Sequence, residues 1–171
     1  MKTRTFLLGA CLSTATLLGS AVPLLADIIH VPGDQPTIQA AVDAATSGDL
    51  IIVAAGTFSG PGNRDIDFSG KELAIEGQGF GQTIIDCGGS EGDFHGAFYF
   101  HTAEDSSLIR GLEIINAYYG LSSNDRGAIT CSGSSPTITD CTIRNNRSHG
   151  VTIGGTSAPS LVTLQISSNA G

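Results

Sequence analysis

An internal repeat near the C-terminal end of the 171-residue chain limits its fold more than any other feature. Residues 127–146 (GAITCSGSSPTITDCTIRNN) align without a gap on residues 150–169 (GVTIGGTSAPSLVTLQISSN), at an offset of 23. Equivalent positions carry similar residues, in the pairs Gly127 and Gly150, Pro136 and Pro159, Ile138 and Leu161, Cys141 and Leu164, Ile143 and Ile166, and Asn146 and Asn169. Self-similarity at so short a period is typical of stacked repeats that bury their apolar faces against one another.

A looser copy of the pattern lies upstream. The spacing of Ile138, Cys141 and Ile143 recurs 29 residues earlier, in Ile109, Leu112 and Ile114. Gly96 precedes a strand predicted at 97–100, and the larger offset indicates a longer loop after Asn116. Because a strand rises roughly 3.3 Å per residue, a strand, a turn, a second strand and a second turn close one coil in about 23 residues. The three copies therefore predict stacked coils.

Glycine and asparagine recur at the predicted turns. Gly96, Gly127 and Gly150 are predicted at tight turns that enter a strand, because glycine tolerates positive φ. Asn116, Asn146 and Asn169 are predicted at the opposite turn, where their amides can bond the turn backbone.

One amphipathic helix is predicted before the repeats, at about 35–47. Ile38, Ala41, Val42 and Ala45 fall on one face at steps of three and four. Asp34 is the predicted N-cap, Pro36 suits the first turn, and Gly48 supplies a stop. We expect this helix to cover the open first coil, with coils from about 50 and an all-β chain thereafter.

The first 26 residues have the layout of a secretory signal peptide. Lys2 and Arg4 precede an apolar stretch at 6–25, and Ala26 stands before the first acid, Asp27. A membrane-spanning helix is disfavoured by interrupting Gly, Ser, Thr and Pro residues, and no later segment reaches spanning length. A lipoprotein cleavage box at 8–11 is the weaker alternative. The sequence thus predicts a secreted or cell-surface protein of residues 27–171 with no membrane span.

Charge excludes two classes of partner. The chain has 8 basic and 16 acidic side chains, a net charge of −8, and Lys71 is the only lysine beyond the N-terminal segment. Removal of residues 1–26 leaves 6 basic and 16 acidic side chains, a net charge of −10. Such a chain offers little to phosphate backbones or to anionic membrane surfaces, so neither nucleic acid nor a membrane is an expected partner.

The cysteines are predicted to be small core residues. Loss of Cys11 with the signal peptide leaves Cys87, Cys131 and Cys141, an odd number that allows at most one internal disulfide. The repeat places Cys141 at the position of Leu112 and Leu164, which indicates an inward ladder. The sequence leaves open whether two of the three cysteines pair.

Two segments resemble a known superfamily. The run PTIQAAVDAATSGDLIIVAAGTF and the following KELAIEGQGFGQTIID resemble the cap helix and first coils of pectin lyase-like proteins, and SPTITDCTIRNN resembles the coil repeats of exported bacterial members. The resemblance covers nearly all of residues 27–171. It implies a right-handed parallel β-helix solenoid with an N-terminal capping α-helix. This fold hosts lyases, esterases, hydrolases, adhesins and passive surface proteins, so it does not decide the activity.

The motifs of the superfamily's enzymes are matched only in part. The start resembles pectinesterases, but their Gln-Asp pair and later D-F-I-F-G-like strand are absent. Pectate lyases hold Ca²⁺ through carboxylates on neighbouring coils, with an arginine base; the candidates here, Asp125, Asp140, Arg126 and Arg144, do not recur at coil spacing. No cofactor is therefore expected, and Ca²⁺ enters only if the protein is a lyase.

A sharper partial match involves His149. Residues 148–154 (SHGVTIG) resemble the S-H-G-I-S-I-G segment of polygalacturonases. Glycoside hydrolysis needs two carboxyl groups, and Asp125 stands alone near the expected position, beside Arg126. We expect His149 to be an exposed turn residue, and a role for it with Asp125 or Asp140 stays open.

Two loops carry further candidates. Glu91, Asp93 and His95 could hold a metal, but a solvated loop is the favoured interpretation and no metal site is predicted. Tyr118 and Tyr119 could stack on a sugar ring or pack over the neighbouring coil, and packing is favoured. The sequence therefore assigns no catalytic or ligand-binding residue.

Two functions remain open. The favoured one is an exported, non-catalytic surface or extracellular binding platform, with polysaccharide or cell-surface glycan as partner. The alternative is a polysaccharide-active enzyme, pectate lyase-like or polygalacturonase-like, with catalytic coils beyond residue 171. Residues 169–171 reach the point where another coil would begin without a polar cap, so we expect the N-terminal portion of a longer stack, and end-to-end association of this chain.

Overall fold

The computed structural model describes residues 26–119 and 126–170. The predicted signal peptide lies outside these residues except for Ala26, and so does Asp125. The described residues form one helix and fifteen strands. Their bounds are β1 Ile28–Val31, α1 Ile38–Ala44, β2 Leu50–Val53, β3 Gly56–Ser59, β4 Ile66–Asp67, β5 Ala74–Glu76, β6 Thr83–Asp86, β7 Phe98–Phe100, β8 Leu108–Arg110, β9 Glu113–Ile115, β10 Gly127–Ser132, β11 Thr137–Thr139, β12 Thr142–Arg144, β13 His149–Gly154, β14 Ser160–Val162 and β15 Gln165–Ser167.

The strands form three parallel sheets. The first sheet has the order β1-β2-β5-β8-β11-β14, the second β4-β7-β10-β13, and the third β3-β6-β9-β12-β15. From β2 onward the chain visits the first, third and second sheets in turn and then repeats the cycle. Each cycle, called a coil below, adds one strand to every sheet. The molecule is thus predominantly β, with stacked parallel sheets compatible with a β-helix-like solenoid.

Each coil contains three strands, whereas the sequence predicted two. The difference arises between β11 and β12, where Asp140 has a φ of 52° and turns the chain from the first sheet into the third. Gly111 and Thr163 have φ values of 66° and 51° at the equivalent points of the neighbouring coils. This left-handed residue divides a segment whose apolar spacing resembled a single strand.

Apolar ladders fill the space between the sheets. In the first sheet, register partners run through Ile29, Ile51, Ile75, Ile109, Ile138 and Leu161. In the third sheet they run through Phe58, Ile85, Ile114, Ile143 and Ile166. The isoleucines at 51, 75, 85, 109, 114, 138 and 143 are fully buried. Each such side chain contributes about 1.5–3 kcal/mol, which makes these ladders the main source of stability.

The predicted offsets hold in two sheets and fail in one. Ile138 pairs with Leu161 and with Ile109, at the predicted offsets of 23 and 29. In the second sheet, however, Gly127 pairs with His149, an offset of 22, and not with Gly150. The segment between β13 and β14 has one residue more than that between β10 and β11, and this residue restores the offset of 23 in the first sheet.

The predicted turn residues need two corrections. Gly96, Gly127 and Gly150 do not have positive φ. Close packing explains Gly127 instead, because a Cβ there would lie 2.8 Å from the His149 carbonyl oxygen. Asn116 is equivalent to Asn145 and not to Asn146, since Asn116 and Asn145 have left-handed φ values of 58° and 56°.

Asn146 and Asn169 instead form a buried amide ladder. The Asn146 Oδ1 accepts the Ala117 N–H at 2.8 Å, and its Nδ2 donates to the Ile114 carbonyl at 3.2 Å. Asn169 Oδ1 in turn accepts from the Asn146 backbone N–H at 3.1 Å and from its Nδ2 at 2.9 Å. The asparagines thus satisfy backbone groups of two coils at once.

The helix is shorter than predicted and has a different cap. It spans Ile38–Ala44, and the Thr37 hydroxyl accepts the Ala40 N–H at 3.2 Å as N-cap. Asp34 accepts the His30 N–H at 2.8 Å in the preceding turn. The predicted apolar face at positions 38, 41, 42 and 45 is buried. Strand β1, which precedes the helix and pairs with β2, was not predicted.

The three cysteines among the described residues are buried and unpaired. Burial raises the pKa of Cys131 to about 12 and that of Cys141 to about 11, and it raises the pKa of Cys87 further. The prediction that they are small core residues is confirmed. Within residues 26–119 and 126–170, no helix has the length and hydropathy needed to span a membrane.

Candidate functional site

The outer face of the second sheet carries a lateral cleft of about 480 Å³. Strand alternation positions it: Ile66, Phe98 and Ile129 point inward as register partners, so the next residues point outward. These are the register partners Asp67, Tyr99 and Thr130. The cleft is lined by Asp65, Asp67, Phe94, His95, Gly96, Phe98, Tyr99, Tyr119, Arg126 and Thr130.

Asp65 lies at one end of the cleft, just before β4. Its Oδ1 accepts the Gly96 N–H at 2.9 Å and the Tyr119 hydroxyl at 3.4 Å. Its Oδ2 lies 2.5 Å from the His95 Nδ1. Asp65 therefore connects its own coil to two segments of the coil above.

His95 bridges two carboxylates. Its Nδ1 faces Asp65, and its Nε2 lies 2.8 Å from the Asp93 Oδ1. Both contacts are hydrogen bonds only when both ring nitrogens carry protons, so this arrangement favours the imidazolium. The backbone of His95 also pairs with Tyr118 in both directions, at 3.1 and 3.0 Å. The structure thus brings the predicted Asp93 and His95 together, with Asp65 in place of Glu91 as their third member.

Asp67 is the second carboxylate of the cleft. Its Oδ1 accepts the Ser69 N–H at 2.7 Å, and its Oδ2 lies 3.0 Å from the His101 Nε2. Partial burial raises the pKa of Asp67, but the hydrogen bonds from His101 and Ser69 outweigh it and hold the pKa below its ordinary value. Asp67 is therefore ionised at neutral pH.

Asp67, His101 and Glu104 each place a ligand atom within 4.8 Å of the other two, a spacing that could hold a metal. Glu104 is fully buried, however, and its oxygens are engaged by the protein. They accept the N–H groups of Gly70, His101 and Thr102 and the Ser134 hydroxyl, at 2.6–2.9 Å. These bonds join three successive coils and explain Glu104 as a structural residue.

Aromatic and cationic side chains complete the cleft. The Tyr99 ring stacks on His101 with centroids 4.5 Å apart, and the Arg126 guanidinium also lies 4.5 Å from the Tyr99 centroid. Arg126 lies 6.0 Å from the Tyr119 ring. Burial, and then the charge of Asp65, raises the pKa of Tyr119, so its hydroxyl stays protonated and able to donate.

Tyr118 packs against other side chains. Its ring stacks on Phe94 at 5.7 Å between centroids, and the Arg147 guanidinium lies 4.9 Å from its centroid. These contacts are the packing favoured for Tyr118 from the sequence. Tyr119, by contrast, lines the cleft.

The residues matched to polygalacturonases and lyases are not brought together. His149 begins β13 in the second sheet, Asp140 lies in the turn between β11 and β12, and Arg144 pairs with the buried Glu113 in the third sheet. None of these three lines the lateral cleft. Asp125 lies outside the described residues, whereas its neighbour Arg126 lines the cleft.

Sequence reasoning missed Asp65 and Asp67. A signal existed in residues 64–68 (RDIDF), where charged and apolar residues alternate as in a half-buried strand. The repeat was not extended that far upstream because Asp67 and its register partner Tyr99 are 32 residues apart. This offset differs from both 23 and 29, so the alignment did not reveal it.

No protein-family model, curated protein or solved structure matches this chain.

Proposed function

We propose that this protein is an exported right-handed parallel β-helix of the pectin lyase-like kind, and that it binds carbohydrate in its lateral cleft. The cyclic order of the three parallel sheets supports the β-helix, together with the cap-helix and coil motifs of the sequence. The basic and apolar N-terminal segment supports export to the exterior or the cell surface. The observation that carries the function is the lateral cleft itself.

The cleft offers the groups that sugars require. Carbohydrate hydroxyls donate to carboxylates and accept from cationic or phenolic groups, and Asp67, Arg126 and Tyr119 supply all three on one surface. The volume of about 480 Å³ falls in the range of ordinary ligand sites, roughly 300–1,000 Å³. The partner is therefore a segment of a polysaccharide or of a cell-surface glycan.

The charge of the cleft favours a neutral or amino-sugar glycan. Asp65, Asp67 and Asp93 lie in or beside it, with Arg126 as the arginine of its lining. His95 and His101 are paired with these carboxylates. A polyuronate would meet both this local charge and the net charge of −8.

Affinity electrophoresis and calorimetry of the purified protein against neutral, amino-sugar and polyuronate glycans test this function. We expect binding to the first or second class, and at least about tenfold weaker binding in Arg126→Ala and Asp67→Asn, because each removes a charged hydrogen-bonding group. Arg110→Ala and Asp140→Asn are matched controls outside the cleft and retain binding. Absence of binding to neutral and amino-sugar glycans, or equal binding by the cleft variants, would refute the proposal.

A second function, cleavage of the glycan, is favoured by one observation. Asp65 and Asp67 both line the cleft, and glycoside hydrolysis requires two carboxyl groups at one bond. Assays for reducing ends on each glycan, and for unsaturated products on polygalacturonate with and without Ca²⁺, test it. Turnover that is lost in Asp67→Asn supports an enzyme, and Ca²⁺ dependence would identify a lyase. Absence of turnover in a protein that binds supports the non-catalytic platform.

A further inference from the structure

The last coil exposes side chains that every preceding coil buries. Leu161 and Ile166 are 41 % and 50 % exposed, whereas their register partners Ile138 and Ile143 are fully buried. In the second sheet, Ile153 is 49 % exposed and its partner Cys131 is fully buried. Each of the three sheets therefore presents an apolar side chain on one common face, which we call the terminal face.

The backbone of the terminal face is also open. Among the described strands, β13 pairs only with β10, β14 only with β11, and β15 only with β12. Each of the three strands thus has one edge without strand partners. Such edges are templates for pairing with another strand, and natural proteins usually protect them with charged residues or a covering element.

The other end of the stack shows that protection. Helix α1 lies against β4, where the Gln39 side chain bonds to both backbone groups of Asp67, at 2.9 and 3.0 Å. Lys71 Nζ fixes the end of the helix by donating to the Val42 and Asp43 carbonyls, at 2.8 and 2.9 Å. A second molecule therefore cannot add a strand to β4.

The charge distribution selects the occupant of the terminal face. Residues 150–171 contain no Asp, Glu, Lys or Arg, although the chain has 24 such residues and a net charge of −8. Two copies repel each other over most of their surface, but least where the uncharged last coils meet. An uncharged apolar surface is complementary to itself, as a two-fold symmetric contact requires.

We propose that two copies of this protein associate through their terminal faces in a closed, two-fold symmetric dimer. A two-fold axis through β14 places Ser160–Val162 antiparallel to its own copy, with Leu161 facing Leu161. The covered β4 edge prevents head-to-tail growth. The interface is one coil in cross-section, at the low end of the size range, below ~1,200 Å² in total, so we expect a micromolar dissociation constant.

Sedimentation equilibrium of the purified full chain over the micromolar range tests the proposal. We expect a monomer–dimer equilibrium that weakens by more than about 100-fold in Leu161→Asp/Ile166→Asp, because the dimer would bury unpaired carboxylates. Ile28→Asp is the matched control, since Ile28 is 54 % exposed on the edge strand β1, and it retains the dimer. A monomeric wild type, or a dimer that persists in the double variant, would overturn the proposal.

Hydrogen exchange of the wild-type protein gives a readout that needs no substitution. The backbone amides of β14 become protected as the protein concentration rises, whereas those of the buried β8 stay protected at every concentration. β14 amides that exchange equally fast at low and high concentration would also overturn the proposal. This measurement decides the matter even if the double variant does not fold.

Discussion

The side-chain amide of Gln39 forms with Asp67 the two hydrogen bonds that a neighbouring strand would otherwise form. Its Oε1 accepts the Asp67 N–H at 2.9 Å, and its Nε2 donates to the Asp67 carbonyl at 3.0 Å. A single helical side chain thus satisfies the outer edge of β4, on the strand that carries a carboxylate of the cleft.

Gln39→Leu should therefore destabilise the protein by about 1–3 kcal/mol, because it leaves the Asp67 N–H and carbonyl without partners. Urea unfolding followed by far-UV circular dichroism measures the change. Gln82→Leu is the matched control, at an exposed position, and should change the free energy of unfolding by less than about 0.5 kcal/mol. Equal stability of Gln39→Leu and wild type would show that water replaces these bonds without cost.

Asn146→Leu should be more damaging, at about 2–4 kcal/mol. It removes the partners of the Ala117 N–H and the Ile114 carbonyl in the protein interior, together with the bond to Asn169. Thermal and urea unfolding report the loss. Asn145→Gly is a suitable control, because glycine adopts the left-handed φ of 56° at this neighbouring position. If both variants were equally stable, the amide ladder would have no structural weight.

Glu104 should make the protein sensitive to acid. Burial raises the pKa of Glu104, but its hydrogen bonds, led by that from Ser134, outweigh it and hold the pKa below the ordinary value of 4.5. A carboxyl group whose pKa is lower in the folded than in the unfolded state stabilises the fold above the unfolded pKa. That stability is lost as the pH falls from about 4.5 through the folded pKa.

Glu104→Gln should accordingly lower the stability at neutral pH by about 2–4 kcal/mol and flatten its loss in acid. Urea unfolding at a series of pH values from neutral to acid measures both effects. Glu91→Gln, at an exposed position, should leave the pH profile as in wild type. A parallel shift of the Glu104→Gln profile, with its slope in acid unchanged, would contradict this role.

The buried cysteines should be unreactive in the folded protein. Burial raises the pKa of Cys131 to about 12, so the thiolate that attacks a disulfide reagent is scarce at pH 8 as well as inaccessible. We expect Cys87, Cys131 and Cys141 to react with Ellman's reagent only after unfolding. Rapid reaction in the native protein would show that the stack opens, and absence of titratable thiols after unfolding would reveal disulfides.

The inward ladders were largely predictable from the sequence, whereas the cleft was not. Ile109, Ile138 and Leu161 share a regular register because the segments between the first and third sheets have constant length. The left-handed turn at Asp140 was hidden, since aspartate gives a weaker signal for such a turn than the equivalent Gly111.

The cleft depends on contacts that no local pattern encodes. Asp65, His95 and Arg126 come from three successive coils and meet only after segments of unequal length have been folded over the second sheet. Residue types alone suggested a metal loop at residues 91–95. The register of β4 against β7 was needed to bring Asp65 to His95.

The walls of the cleft and the apolar core occupy separate parts of each coil. The long segments between β6 and β7 and between β9 and β10 supply His95, Tyr119 and Arg126, while the corresponding segment between β12 and β13 has only four residues. Insertions and deletions there leave the isoleucine ladders untouched. The molecule can therefore change its ligand preference through loop length while its stability stays constant, which makes the second sheet a natural target for engineering new specificity.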